Sequence, residues 1–307
     1  MKALSVIVAS QNAEATIMDC LASLERQNTS GATEIIVVDN SSDRTPWIVE
    51  ENFRGVRLIK SDDRLLIPEL WARGAEQAAG EIIAFTTAHC IPDSEWLSQT
   101  LRHHELEYAA VGGAIENTRP ASLIQWAVYF CRYAAYMLPF LPHAVEQVPG
   151  DNASYKRSVL EKYADLIKTG FWETVINHRL RNDGHSLLLT PAIRVYHGRS
   201  FGVRAFCRQR LVHGRMFGSE RTAAASPLRR LLYIGFAPLI PLVFLGKIGR
   251  QVLHKGRHGR EFLLSLPLVI LFVLCWSLGE FLGYLLGAPR TVSDPQNLPE
   301  AEPLVHR

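Results

Sequence analysis

The apolar positions of this chain fall into two textures. As far as about residue 113, short runs of Ile, Val and Leu alternate with stretches whose apolar residues recur every three or four positions. Leu4–Ala9, Glu34–Val38, Val56–Ile59 and Ile82–Phe85 read as strands. Ile17, Cys20, Leu21 and Leu24 share one face of a helix running to Gln27, which Asn12 is placed to cap. Pro68–Ala79 reads as another helix. Strands of nearly unbroken apolar residues that alternate with helices predict a parallel sheet covered on both faces.

Past Gly112 and Gly113 the pattern changes. Ser122–Leu141 (SLIQWAVYFCRYAAYMLPFL) is rich in aromatics, and its one charge is Arg132. Its length suits a helix on the sheet or at a membrane interface, where Trp126, Tyr129, Tyr133 and Tyr136 would sit at headgroup level; an ordinary core helix is the plain alternative. Glu173–Asn182 predicts a helix, Leu187–Leu189 and Ile193–Tyr196 predict strands, and Phe201–Phe217 predicts a basic helix. Two strongly apolar segments follow. Leu231–Gly246 would extend roughly 24 Å as a helix, short for a ~30 Å hydrocarbon core, and Pro238 and Pro241 interrupt it. Phe262–Leu286 would extend roughly 38 Å and reads as a transmembrane helix. Lys247, Arg250, Lys255, Arg257 and Arg260 separate the two, and Arg221, Arg229 and Arg230 precede the first. Basic flanks on both sides of 231–246 ask for the same side of the membrane, so a re-entrant or interfacial segment is favoured over a second span. The same cations suit anionic headgroups.

Composition narrows the class. Of 307 residues, 48% are hydrophobic, and the excess lies in the late segments. A net charge of +3 gives no reason to expect a nucleic-acid partner. The five cysteines, Cys20, Cys90, Cys131, Cys207 and Cys275, include no Cys-x-x-Cys pair and read as reduced thiols. The start, MKALSVIVAS, is too short in its apolar part for an export signal and reads as a first strand, which keeps the domain that follows in the cytoplasm.

Candidate chemistry gathers where strands end, the edge at which open α/β sheets bind ligands. LSVIVASQNAEATIMDCLASLERQ, EIIVVDNSSD, ARGAEQAAGEIIAFT, GDNASYKR and RQRLVHGR, in this order over about 1–217, resemble the landmarks of family 2 glycosyltransferases. These are nucleotide-sugar enzymes of the GT-A fold, often with a membrane tail. The resemblance implies a mostly parallel GT-A domain over 1–220, with 122–141 as an interfacial helix. It further implies membrane-associated segments in 221–290 (231–246 short or re-entrant, 262–286 transmembrane) and a polar tail at 291–307. It places Ala9, Ser10, Asp39 and Arg73 at the nucleotide. The carboxylate of Asp39 suits a base N–H, which no cation can accept from.

The family's paired aspartates before the diphosphate are replaced here by Thr87 and His89. Carboxylate pairs suit Mg²⁺ or Mn²⁺; one imidazole still suits Mn²⁺. His197 falls where relatives place a further ligand, so a His89/His197 site completed by diphosphate oxygens is one reading. Direct hydrogen bonding of His89 to the diphosphate, or an inert site, are the others. In FWETVINHRL, Glu173 stands over the family's catalytic base; beside Trp172 its pKa would rise toward neutrality. Asp151, Asn152 and Trp172 would line the acceptor pocket. Arg208, Gln209 and Arg210 would balance the leaving diphosphate, or bind lipid phosphates.

The expected activity is inverting transfer of a sugar from a nucleotide-sugar donor, with UDP favoured. The expected acceptor is membrane-adjacent or lipid-linked and serves envelope polysaccharide or glycolipid synthesis at a bacterial inner membrane. The alternative is an inactive protein of the same fold that binds nucleotide sugars or scaffolds an assembly.

Overall fold

The computed structural model describes residues 2–27, 31–63, 65–118, 120–223 and 225–287. The anticipated tail at 291–307 lies outside them. In chain order the elements are β1 (Leu4–Ser10), α1 (Ile17–Gln27), β2 (Thr33–Asp39), α2 (Thr45–Asn52), β3 (Arg57–Lys60) and α3 (Ile67–Glu76). Then come β4 (Ile82–Thr87), β5 (Cys90–Pro92), α4 (Trp96–His104), β6 (Ala110–Asn117), α5 (Leu123–Tyr133), β7 (His143–Val145) and β8 (Asn152–Lys156). The short α6 (Arg157–Leu160) and α7 (Ala164–Ile167) lead to α8 (Glu173–Asn182), β9 (Leu187–His197) and α9 (Val203–Ala223). The chain closes with α10 (Pro227–Phe236), α11 (Ile240–Lys255) and α12 (Gly259–Leu286).

The described residues of Met1–Thr118 and Tyr136–Arg199 form one compact unit, and those of Arg119–Ala135 and Ser200–Pro299 form another. The first is built on a single sheet of order β3-β2-β1-β4-β8-β6-β9-β5, with β7 on β9. Pairing is parallel through β3, β2, β1 and β4 and again between β6 and β9; β8 runs antiparallel to both β4 and β6. The anticipated parallel sheet is therefore present in its first half and becomes mixed beyond β4. The apolar runs have their reason here: every residue of β1 is buried, as a central strand covered on both faces requires.

Three local expectations change. Asn12 does not cap α1, which begins at Ile17; its φ is +49° and its Oδ1 accepts from the Ser42 N–H at 3.0 Å. Asparagine tolerates this left-handed conformation better than most residues, and it ties the β1 loop to the β2 loop instead. The helix expected over Ser122–Leu141 stops at Tyr133, passes through a short 3₁₀ turn and gives way to an extended segment containing β7. Pro139 and Pro142 cannot donate the amide hydrogens a continued helix needs. The two strands expected around 187–196 are one, with a register irregularity opposite Gly113/Ala114.

In the second unit α5, α9, α10, α11 and α12 pack on one another. Ser122 caps α5 by accepting from the Gln125 N–H, and Phe130 meets Phe262 at 5.2 Å between ring centroids. Prolines 238 and 241 bend rather than end the late apolar segment. A 3₁₀ turn at Ala237–Leu239 joins α10 to α11, making a helical stretch from Pro227 to Lys255.

Candidate functional site

The parallel register brings the strand ends of the first unit to one edge. Ser10 lies opposite Asp39, and Ala9 opposite both Val38 and Thr87. Because β8 is antiparallel, its beginning reaches the same edge: Thr86 lies opposite Asn152. Thr86 Oγ1 donates to the Asp151 carbonyl at 2.9 Å, and Trp71 Nε1 donates to the Thr86 carbonyl at 2.7 Å. The β4 end, the Gly150-Asp151-Asn152 loop and α3 are thereby fastened together.

Asp39 is buried. Its Oδ1 accepts from the Ser41 hydroxyl at 2.6 Å and its Oδ2 from the Ser41 N–H at 3.0 Å. Burial raises its pKa above the ordinary aspartate value, while the Ser41 and Ser10 hydroxyls pull the other way. Arg73 reaches the same neighbourhood. It donates to Ser61 Oγ at 2.8 Å and to Asp63 at 2.7 Å, and the Ser61 N–H in turn donates to the Asp39 carbonyl at 2.8 Å. Its side chain is 40% exposed, so the Asp63 pair holds it in place rather than adding much stability.

Glu173 is the first residue of α8 and is 1% exposed. A Cβ added at Gly150 would lie 3.0 Å from Glu173 Cδ and 2.8 Å from the Trp71 ring. Only glycine allows the loop to press this closely on the carboxylate. Phe171 stacks on Phe85 with centroids 4.0 Å apart, and Tyr155 meets both rings edge-on. The tyrosines record the charge beside them. Burial, then the negative charge of Glu173, raises Tyr155 well above its usual range. Burial, then Glu173 and Asp151, raises Tyr136 as well. A buried carboxylate, a second acidic residue and two neutral phenols thus share one place, an arrangement able to take a proton from a hydroxyl.

Sequence reasoning named Glu173 and Asp151 but missed Trp71, Tyr136, Tyr155 and Asn177. Tyr155 OH donates to Asn177 Oδ1 at 2.9 Å, and Asn177 Nδ2 donates to the Val148 carbonyl at 3.1 Å. The signal available was Asn177 one helical turn after Glu173, on the same face.

Two anticipated contacts are otherwise engaged. Asn152 is 1% exposed; its Nδ2 donates to the Ala114 and Ile193 carbonyls at 2.9 and 3.3 Å, and its Oδ1 accepts from Trp96 Nε1 at 2.8 Å. It ties β8 to β6, β9 and α4, so it is a strut of the sheet rather than a wall of an acceptor pocket. Thr87 is fully buried, with its hydroxyl directed at Cys90 Sγ at 3.5 Å. Trp172 stands at the N-cap position of α8, against Gly170, where an added Cβ would meet its Nε1 at 2.7 Å.

His89 and His197 lie on adjoining backbone: the Gly198 N–H donates to the His89 carbonyl at 2.7 Å, and Cys90 pairs directly with His197. Alternation puts the His197 side chain on the Cys90 face. The His89 ring is at Thr16, with Nδ1 3.2 Å from Thr16 Oγ1. Among the described residues no group of three His, Cys, Asp or Glu is placed to hold a metal ion. Arg208, Gln209 and Arg210 belong to the other unit. There Arg208 is exposed, Gln209 and Arg210 are buried, and the Arg210 guanidinium lies 4.3 Å from the Trp276 ring centroid.

A family model described as Glycosyl transferase family 2 matches residues 5–164. Among solved structures, the chain is similar to a mannosyltransferase, PcManGT from Pyrobaculum calidifontis, in complex with GDP-Man and Mn²⁺. Identity is 17% and the TM-score 0.57, over 90% of this chain and 86% of that one. It is also similar to residues 1–349 of S. aureus TarS in complex with UDP-GlcNAc, at 16% identity and TM-score 0.51, over 95% of this chain and 93% of that one. No curated protein matches.

Proposed function

The chain belongs to glycosyl transferase family 2, and from that premise we propose that it moves a sugar from a nucleotide-sugar donor to a membrane-adjacent hydroxyl acceptor, with Glu173 as the base. The observation that carries this reading is the buried carboxylate of Glu173, pressed against Gly150 and near Tyr155 and Tyr136. A carboxylate shielded from water and flanked by neutral phenols can accept the acceptor's proton as its oxygen attacks the anomeric carbon. The nucleoside diphosphate leaves with the bonding electrons. On this reading the family's inverting course follows from a single displacement.

Ala9, Ser10, Asp39 and Arg73 would receive the nucleotide, with the Asp39 carboxylate accepting from the base. His89 would meet the diphosphate, its ring steadied by Thr16. Arg208 and Arg210 would supply positive charge and Gln209 a neutral hydrogen-bond donor. Asp151 and Trp172 would contact the acceptor. The solved relatives hold GDP-Man and UDP-GlcNAc, which supports a nucleotide-sugar donor and leaves UDP as our choice between bases.

A divalent cation is present in the mannosyltransferase complex. Here the donor set is two imidazoles with no carboxylate, and Thr87 is turned to Cys90. That set suits Mg²⁺ poorly and Mn²⁺ only with oxygen ligands from the diphosphate. The same observation favours a second reading, a nucleotide-sugar-binding protein that has lost turnover.

We divide the chain into a catalytic domain over 1–220 that faces the cytoplasm and membrane-associated segments in 221–290. The two helices Pro227–Lys255 and Gly259–Leu286, long and apolar enough to cross a bilayer, support membrane association. A lipid-linked acceptor of envelope polysaccharide or glycolipid synthesis fits an enzyme held at the membrane.

The test is donor turnover by membranes carrying the full chain, screened over UDP- and GDP-sugars with EDTA and with Mn²⁺. Glu173→Gln is expected to lower the rate by ~10²–10⁴ while leaving nucleotide binding unchanged. Full activity in that variant removes Glu173 as the base, and nucleotide binding without turnover of any donor selects the second reading.

A further inference from the structure

By composition alone α12 crosses the membrane. What packs on it says otherwise. α9 runs beside the second half of α12, from Phe206 against Phe272, with ring centroids 4.7 Å apart, to Arg215 Nε donating to the Gly287 carbonyl at 3.0 Å. Between these points the two backbones touch. A Cβ added at Gly214 would sit 2.1 Å from the Trp276 carbonyl oxygen, and one at Gly279 would sit 2.1 Å from that of Leu211. Gly218 and Gly283 make the same close approach one turn on.

The helix held this tightly is the basic one. α9 carries Arg204, Arg208, Arg210, Arg215, Glu220 and Arg221. Arg221 donates to the fully buried Glu280 of α12 at 3.2 Å, and Trp276 Nε1 donates to the same carboxylate at 3.1 Å. A helix bearing that many charges is costly at hydrocarbon depth. A charged helix packed along α12 places that half of α12 more cheaply at the level of the headgroups than in the hydrocarbon. The part of α12 ahead of α9, residues 259–271, is about thirteen residues, roughly 20 Å long. It begins with Arg260 and Glu261 and packs on α5 through Phe262 and Phe130. A ~30 Å hydrocarbon core needs more. The helical stretch from Pro227 to Lys255 is limited in the same way. Its apolar part lies between Arg229–Arg230 and Lys247–Arg250 and extends roughly 24 Å.

The sides turned away from α9 are apolar and open. Leu263 is 68% exposed and Leu278 52% on α12, and Leu228, Leu231 and Leu242 of α10 and α11 are similarly open. Basic residues border them: Arg229, Arg230, Lys247, Arg250, Lys255 and Arg257. Open leucine surface edged by cations matches one leaflet of an anionic bilayer, acyl chains under phosphates.

We propose that α10, α11 and α12 bind this chain to a single leaflet and cross the membrane nowhere. The proposal rests on the reading of 221–290 as membrane-associated and replaces the span expected at 262–286 with an embedded, one-sided footing. α9 then serves as the headgroup-side lining of that footing.

The test is sidedness of labelling in the full chain. Arg257→Cys, Leu286→Cys, Arg229→Cys and Leu253→Cys are each introduced into a variant whose native cysteines are replaced by serine or alanine. Each is exposed to a membrane-impermeant maleimide in right-side-out and in inverted vesicles. All four positions are expected to label from the same side. Labelling of Arg257→Cys and Leu286→Cys from opposite sides overturns the proposal, since α12 then crosses. Failure of the unmodified chain to co-float with vesicles containing phosphatidylglycerol overturns the membrane reading itself, and this inference with it.

Discussion

Burial decides what the polar residues at the strand edge are able to do: Asp39, Asn152 and Glu173 are each under 3% exposed. Asp39 and Glu173 were named because the stretches around them resemble the family's motifs. Both lie buried at the positions the pattern indicated. Asn152 had the same look, yet its amide braces β6, β9 and α4. A buried amide that joins three elements is indistinguishable in sequence from one that meets a ligand. Tyr136 was read as a headgroup-level aromatic and Tyr155 as part of a polar loop, because neither neighbourhood reveals that both rings come close to Glu173. His104 shows a different consequence of burial. Its Nε2 donates to Ser154 Oγ at 2.8 Å, whose own hydroxyl donates to the Val111 carbonyl at 3.2 Å. Burial, with the nearby Lys156 charge, lowers its pKa to about 4. The folded chain therefore binds this proton less readily than the unfolded one. Its contribution is complete above the unfolded value near 6.5 and is lost as pH falls toward 4, to the extent of ~3 kcal/mol. His104→Gln keeps a donor for Ser154 and is expected to flatten the fall in melting temperature between pH 6.5 and 4. An unchanged pH profile in that variant would assign the acid sensitivity elsewhere.

At the level of elements, period and punctuation located β1, α1, β2, β3, α3, β4, α8 and β9 but passed over α2, α4, β5, β6, β7 and β8. Pairing was out of their reach as well. Nothing in GDNASYK says that β8 enters antiparallel between β4 and β6, since its partners are distant in sequence and pairing is decided by which edges are left open. The glycines of α9 and α12 were equally mute. Gly214, Gly218, Gly279 and Gly283 look like weak points in two helices, because glycine lowers helix propensity. Their use is the backbone contact they permit. Gly279→Leu is expected to force α9 and α12 apart, since the new side chain would begin 2.1 Å from the Leu211 carbonyl oxygen. In detergent the cost should reach several kcal/mol, the scale of severe overpacking, read as a fall in melting temperature. Gly249→Leu, whose added Cβ meets nothing within 4 Å, is the matched control and should change little.

For the molecule as a whole, the sequence told more about surroundings than about assembly. Hydropathy marked the late segments as lipid-seeking because it averages along the chain; it could not register that a charged helix lies against one of them. If cations along α10 to α12 hold the chain to phosphates, affinity for vesicles should fall as salt rises. The Debye length shortens from about 10 Å at 0.1 M to 3 Å at 1 M, and each basic residue near the surface is worth about 1 kcal/mol. Co-flotation with vesicles containing phosphatidylglycerol should weaken measurably over that range, and weaken further with neutral phosphatidylcholine alone. Salt-independent flotation would leave the leucines as the whole of the attraction.

The place of β8 bears on biosynthesis. Until residues 152–156 have left the ribosome, β4 and β6 present bare amide and carbonyl rows to each other across a gap at the middle of the sheet. A nascent chain that has made everything for the nucleotide thus still carries two sticky borders. The half that would grip the donor closes its open border only when the strand that follows Asp151 has been made.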